Sequence, residues 1–365
     1  MTKEQNRFEK HSKTVYAVVY ALIGIVLLVV SLLIVKAVRD EMKRGGERYI
    51  GLREPRPFLD HSEEPGPEVM KSATGLEKRP YRIRVDSDGF IMPSKIHADP
   101  DRSIVFLGGS TTECEYMDEE ARFPYLVGRH LEKSLGLKVN SYNTARSGNN
   151  SMHSLFILQA KVIPMKPKAV VLMECVNELT FLIYMGSYYS PHYNRGLIGN
   201  MNYDPIKNFI LSYVRDKAVE QYDAKDEFSG HTGTGPKISI REICDLYKKN
   251  LELFVFICRQ HGIAPVLMTQ FNRLTPEYEE RLRTLGTLAS IENRWGISYR
   301  QYIEYYSKLN NMHRVVAAEQ HVALIDLDKD LPKSSEYMYD SVHLSEKGSR
   351  FVAEVIAKQL EPIVR

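Results

Sequence analysis

The run SIVFLGGSTT, residues 103–112, decides the fold. Four consecutive apolar residues, Ile104 to Leu107, meet two glycines and then three hydroxyl side chains. An apolar run without polar alternation is buried on both faces, as in a parallel sheet covered by helices. Working outward, 138–142, AVVLMEC (169–175), APVLMTQ (264–270) and VALIDL (322–327) read as four more strands. Helical stripes are expected over 123–135, closed by Gly136, over 155–163, over 240–260 with Gly262 just past the end, and over 299–319. A closing helix runs over 345–360 with Ser345 as its N-cap. Strands separated by helices imply parallel pairing and right-handed crossovers. The expected fold is therefore α/β, a three-layer α/β/α sandwich on a parallel five-stranded sheet. YRIRV (81–85), ended by the turn DSDG, reads as a short strand preceding it.

Composition narrows the function classes. The chain has 365 residues, 43% hydrophobic and 26% charged, an ordinary globular balance that excludes wholesale disorder. Lys+Arg minus Asp+Glu is 49 − 46 = +3, too small an excess for a dedicated nucleic-acid binder. Four cysteines exclude a disulfide scaffold, and without a CxxC pair nothing supports structural zinc. No metal and no cofactor is expected. Cys244 and Cys258, fourteen residues apart on one helix, stand about 21 Å apart and cannot bridge. Cys114 and Cys175 follow the first and third strands, and a bridge between them stays open.

One segment departs from the globular average. Residues 14–35, TVYAVVYALIGIVLLVVSLLIV, hold no charge over 22 residues. As a helix that is about 33 Å, enough to cross a bilayer core. It exceeds the usual apolar stretch of a signal peptide and runs straight into Lys36 and Arg39, so an uncleaved anchor is expected. Lys3, Arg7, Lys10 and Lys13 precede it; Lys36, Arg39, Lys43, Arg44, Arg48 and Arg53 follow. That count slightly favours a cytosolic domain, but long domains translocate regardless of flanking charge. Residues 36–80 read as a juxtamembrane stretch and spacer, with five prolines in 54–80 and a reach up to roughly 80 Å where extended. The expected organisation is a tail (1–13), an anchor (14–35), this spacer, and a catalytic domain over 81–365 outside the cytoplasm, where such reach suits a polymer beside the membrane. Within the domain, 178–237 is an insertion holding Tyr184, Tyr188, Tyr189, Tyr193, Tyr203, Tyr213 and Tyr222. It leaves the sheet beside Asn177, so it is expected to wall the active site. Its tyrosines could stack on sugar rings, though packing of the insertion itself is the plainer reading.

In open α/β sheets ligands sit at the carboxyl ends of the strands. Four such ends carry chemistry. The first has Gly108-Gly109-Ser110-Thr111-Thr112, the second Asn143-Thr144-Ala145-Arg146-Ser147-Gly148-Asn149, and the third Cys175-Val176-Asn177-Glu178. Asp340-Ser341-Val342-His343 precedes the last helix. A serine hydroxyl becomes a nucleophile when a base takes its proton. His343 is that base if its loop leans over Ser110, and Asp340 can hold the other imidazole nitrogen. An oxyanion would find donors in the backbone of Ser110 and Gly148 and in the amide of Asn177. Glu178 reads as support for its neighbours, Arg146 as solvated or ion-paired before anion-binding, and His192 as a polar wall residue.

These blocks, in this order and at these strand ends, resemble the SGNH (GDSL-like) hydrolase family over roughly residues 81–361. The resemblance implies Ser110 as nucleophile, Gly148 and Asn177 in the oxyanion hole, and Asp340 and His343 as acid and base; the closing VHLSEKGSRFVAEVIAKQL is also similar to the family's end. Two positions depart from its pattern: Gly109 stands where an aspartate often precedes the serine, and Cys175-Val176-Asn177-Glu178 replaces Gly-x-Asn-Asp. With its anchor, the chain is similar to members associated with envelope polysaccharides, some of them O-acetyltransferases. The expected function is a membrane-anchored serine esterase removing acyl groups, acetyl first, from an acylated envelope carbohydrate. An acyltransferase using the same acyl-enzyme is the alternative, and with a single span it would need a multispan partner or a lipid-borne acyl donor. A catalytically idle glycan-binding or scaffold protein is the third reading, opposed by the intact Ser, Gly, Asn, Asp and His set.

Overall fold

In the computed structural model, residues 5–43, 47–192, 194–201, 228 and 233–365 are described. The chain divides into two compact units, and each is taken by itself. The smaller contains the helix Gln5–Lys43 and the antiparallel pair Glu47–Ile50 with Ile198–Met201. Within that helix Thr14–Ala37 has a mean hydropathy of 3.2 over its most apolar window, none of it buried, so among the described residues one helix is long and apolar enough to cross a membrane.

The larger unit holds residues 51–197 and the described residues from 228 onward. Its centre is a five-stranded sheet in the order Val139–Asn143, Arg102–Gly108, Ala169–Met173, Ala264–Met268, Ala323–Ile325, every neighbouring pair parallel. Alternate residues of one strand point to opposite faces. Ile104 and Phe106 join Phe123, Val127 and Leu131 and the closing helix's Val352, Ile356 and Leu360. Val105 and Leu107 join Leu155, Leu251 and Phe254 on the other face. Truncating one such residue, Phe254→Ala for instance, costs about 3–5 kcal/mol.

Capping fixes the helices where the sequence placed them. Ser239 and Glu242 form a reciprocal capping box that opens Ile240–Gln260, and Ser298 with Gln301 does the same for Tyr299–Gln320. Ser345 accepts from the Gly348 N–H to open Glu346–Val364. The stripe read over 155–163 divides into Ser151–Ile157, a π turn at Leu158–Val162 and a 3₁₀ turn at Ile163–Met165. Pro164 lacks the N–H that would carry the helix on.

Two expectations need correction. Residues 54–80 are not an extended spacer. Asp60–Glu63 pairs antiparallel with Tyr81–Arg84, so that strand lies outside the parallel sheet, and Pro67–Ser72 is helical. Distant contacts hold this segment: Lys161 Nζ donates to Glu54 Oε2 at 2.6 Å, and the Thr74 N–H to the Tyr339 carbonyl at 2.7 Å. The larger unit thus begins near residue 51, and the 80 Å reach is lost. Second, the start of the 178–237 segment is core, because Asn177 and Glu178 lie on the helix Val176–Met185. Tyr184 and Tyr188 are buried and only Tyr189, at 73% exposure, faces solvent; Tyr193, Tyr203, Tyr213 and Tyr222 lie outside the described residues. The bridge left open between Cys114 and Cys175 is not formed, and Cys244 and Cys258 are unbridged as well.

Candidate active site

The strand Arg102–Gly108 delivers Gly109 and then Ser110, the first residue of the one-turn helix Ser110–Glu113. His343 arrives from the other end of the chain, 233 residues away, with Nε2 at 3.0 Å from Ser110 Oγ. Its Nδ1 lies 2.7 Å from Asp340 Oδ2, which leaves Nε2 to accept the serine proton. Asp340 Oδ1 accepts from the N–H groups of Val342 and His343 at 2.9 and 2.7 Å, so the turn holds its own carboxylate. The Tyr339 ring stacks on the imidazole, 5.6 Å between centroids and 9° from parallel. Burial by itself would lower the pKa of His343; the Asp340 carboxylate, by charge and by hydrogen bond, outweighs it and lifts the group above its ordinary value, with Glu113 adding to the lift. Burial would raise Asp340, and the facing imidazole with the two backbone donors brings it below the usual range.

Two further loops converge on the serine turn. The Arg146 N–H donates to the Gly108 carbonyl at 3.3 Å, and Asn143 Nδ2 to the Thr112 carbonyl at 2.8 Å. Asn177 Nδ2 and the Asn149 carbonyl both crowd the place where a Cβ at residue 109 would stand, the former well under 3.0 Å. That is why glycine sits before this serine: an aspartate there would displace Asn177. Gly148 has φ +80°, and a Cβ on it would meet the guanidinium groups of Arg195 and Arg53 at 2.9 and 3.1 Å. Asn177 is thus brought directly to the Gly109–Ser110 turn, with Gly148 in the adjoining loop.

Charge around this turn is unevenly placed. Arg53, Arg146 and Arg195 gather near Gly148, and burial together with these cations pushes the His153 pKa down to about 3. Arg53 Nη1 donates to Asn149 Oδ1 at 2.5 Å, and Arg146 Nη1 to the Glu54 carbonyl at 3.3 Å. Glu113 accepts from the Ser147 N–H at 2.5 Å; burial pushes it up to about 7 against that donor and the two nearest arginines. Burial pushes Glu115 to about 9, helped by the charges of Glu113 and Glu63 and a hydrogen bond with Glu63. Glu115, Tyr116, Tyr339 and His343 line a cavity of about 10 Å³ beside Ser110.

Glu178 is fully buried, accepts from the Ser151 N–H and the Tyr188 hydroxyl, and is pushed up to about 7 by burial. It supports its neighbours. His192 Nδ1 accepts from the N–H groups of Asn194 and Arg195. Several contributors escaped the sequence reading. Gln270 accepts from the Val176 N–H at 2.8 Å and donates to Thr111 Oγ1 at 3.1 Å, tying the third strand's loop to the serine helix. It ends APVLMTQ, a strand end that no motif follows. Glu113, Glu115 and Arg53 carry no local signal. Among the described residues no group of three or more His, Cys, Asp or Glu is placed to hold a metal ion.

The profile of the GDSL-like Lipase/Acylhydrolase family matches residues 106–351. Similar solved structures include a lipase/acylhydrolase from Enterococcus faecalis, 16% identical, covering 72% of this chain and 97% of that one with a TM-score of 0.43. An acetylxylan esterase from Geobacillus stearothermophilus is 17% identical, covering 73% and 97% with a TM-score of 0.42. A GDSL-like lipase from Parabacteroides merdae is 11% identical, covering 73% and 99% with a TM-score of 0.43. No curated protein matches the chain.

Proposed function

Since the chain belongs to the GDSL-like lipase/acylhydrolase family and is therefore an ester-hydrolysing enzyme, we propose that Ser110 is its nucleophile, His343 its general base and Asp340 the carboxylate that orients the base. The hydrogen-bonded line from Asp340 through His343 to Ser110, 2.7 and 3.0 Å, carries this reading. Ser110 Oγ attacks the acyl carbonyl as its proton passes to His343 Nε2. The oxyanion meets the N–H groups of Ser110 and Gly148 and the Asn177 amide. The alcohol leaves with the proton from His343, and water repeats the sequence to release the acid and free Ser110. The acyl group is small. A cavity of about 10 Å³ beside Ser110 holds about one water-sized group, which suits the methyl of an acetyl ester.

The alcohol is read as an envelope carbohydrate, and the domain as extracytoplasmic and membrane-tied through the helix over Thr14–Ala37. An esterase next to a bilayer meets envelope polymers there, and water suffices as acceptor. The full chain in detergent, given an acetylated glycan and a non-acetylated acceptor, should release free acetate, and Ser110→Ala should release none. Acetyl appearing on the acceptor instead would make the enzyme a transferase. For the side of the membrane, Glu68→Cys puts a thiol on an exposed position of the helix Pro67–Ser72. A reagent that cannot cross membranes should label it in intact cells. Labelling only after lysis would put the domain in the cytosol.

A further inference from the structure

Behind the Asp340–His343 turn lies a cavity of about 360 Å³, separate from the one beside Ser110. Its lining is cationic and hydroxylic. Arg273, only 4% exposed, spends Nη1 on the Met338 carbonyl at 2.9 Å and lies over the Tyr278 ring, 4.6 Å from its centroid, with the Tyr278 hydroxyl in its field; its Nε and Nη2 are buried and make no well-formed hydrogen bond among the described residues. Those two nitrogens form the side-on fork of a guanidinium, whose parallel N–H bonds match two oxygens of one oxyanion. Arg281 Nε and Thr74 Oγ1 in the same lining are likewise buried and unpartnered. Four such atoms thus belong to residues lining one cavity. Buried donors left unpaired are costly, so a set of them around one space calls for an acceptor. Lys333 adds positive charge, although its ammonium already pairs with Asp328 at 2.8 Å. The single carboxylate of the lining, Glu277, is exposed and turned to its own backbone N–H and to Thr275.

We propose that this cavity is a binding site for an oxyanion, a carboxylate or phosphate group held by the side-on face of Arg273 with Arg281 and Thr74. The same residues hold the catalytic turn: the Arg273 N–H donates to the Ser341 carbonyl at 2.7 Å, and the Thr74 N–H to that of Tyr339 at 2.7 Å. Tyr339 and Ser341 flank Asp340, so a bound anion braces the loop that carries Asp340 and His343. Two sources carry the chemistry, an acidic sugar of a glycan or a phosphate group, and the titrations separate them.

The full chain in detergent is titrated calorimetrically with sodium glucuronate and, separately, with inorganic phosphate at constant ionic strength. Saturable millimolar or tighter binding of either is expected, glucuronate pointing to a sugar carboxylate and phosphate to a phosphate group. Arg273→Lys, which keeps the charge and loses the fork, should weaken binding about tenfold. Arg273 also braces the catalytic turn, so Thr74→Val is the second variant. It keeps the shape and removes a hydroxyl that bonds to nothing among the described residues, so the melting temperature should hold while binding weakens severalfold. Ser110→Ala should bind as the wild type does, which separates this site from the esterase reading. No saturable binding of either anion, or binding equal in wild type and both variants, overturns the proposal.

Discussion

The two neighbourhoods of Ser110 carry opposite charge. Around Gly148 stand Arg53, Arg146 and Arg195; Glu115, hydrogen-bonded to Glu63, lines the cavity beside the serine, and Glu113 reaches both sides, accepting from the Ser147 N–H and acting on His343. In the proposed reaction negative charge develops at the oxyanion near Gly148 and positive charge on His343. The arginines suit the first and the Glu113 charge suits the second. The carboxylates are not equivalent, however. Burial raises both, but at Glu115 the charges of Glu113 and Glu63 add to the rise, whereas at Glu113 the Ser147 N–H and nearby arginines oppose it. Glu113 is thus the member of the acidic side whose charge His343 feels.

The harshest way to break this comparison is to remove the groups both sides serve. Ser110→Ala and His343→Ala should each lower kcat by up to about 10⁶ with the fold intact, since such pairs act as a unit. A residual rate near wild type in either variant refutes the assignment. On the cationic side, Asn177→Ala should cost about 3–4 kcal/mol of transition-state stabilisation, read as kcat/KM on an activated acetyl ester. Gly109→Ala should follow it at about 10²-fold, because the new methyl drives out the Asn177 amide. Wild-type kinetics there mean that the amide plays no part. Arg53→Gln should lower stability by about 1–3 kcal/mol in denaturant titration, through the lost bond to Asn149.

The acidic side is probed by pH. With His343 raised, its protonated and non-basic form persists to higher pH, so kcat/KM should fall in acid with a midpoint above about 6.5. Glu113→Gln removes a charge that favours the imidazolium and should move that midpoint downward by a few tenths of a unit, up to about one. An unmoved or upward-moved midpoint would show that Glu113 does not act on the base. Smallest of all, Tyr189→Ser on an exposed position should change stability by less than about 0.5 kcal/mol.

What the sequence made legible was local. The five strands of the sheet show as apolar runs, and the closing helix shows through Ser345, because burial and capping leave marks within a few residues. Ser110, Gly148, Asn177 and the Asp340–His343 pair stood out because each sits at a strand end or beside the last helix. Residues 54–80 did not, since five prolines look extended in isolation while the contacts that fold them are made with Lys161 and Tyr339. The helices Pro276–Thr284 and Leu288–Trp295, like Gln270, lie in a stretch without a motif and leave no strong local mark in the sequence. Glu115 reads as an ordinary acid, because its raised pKa comes first from burial in the folded chain, helped by the distant Glu63 and by Glu113.

The 233 residues between Ser110 and His343 set an order of events during synthesis. At about 5–20 residues per second, the ribosome needs roughly 10–50 s to travel from the proposed nucleophile to its proposed base. Throughout that interval the Ser110 hydroxyl lacks the group that the proposed reaction needs to take its proton. His343 then needs the segment behind it, because the closing helix Glu346–Val364 packs on Phe123–Leu135 and its Val364 carbonyl takes a hydrogen bond from Arg102 at 2.9 Å. A chain stalled or clipped before residue 343 is therefore chemically silent, however well its sheet has formed, and reactivity switches on only with the final stretch of translation.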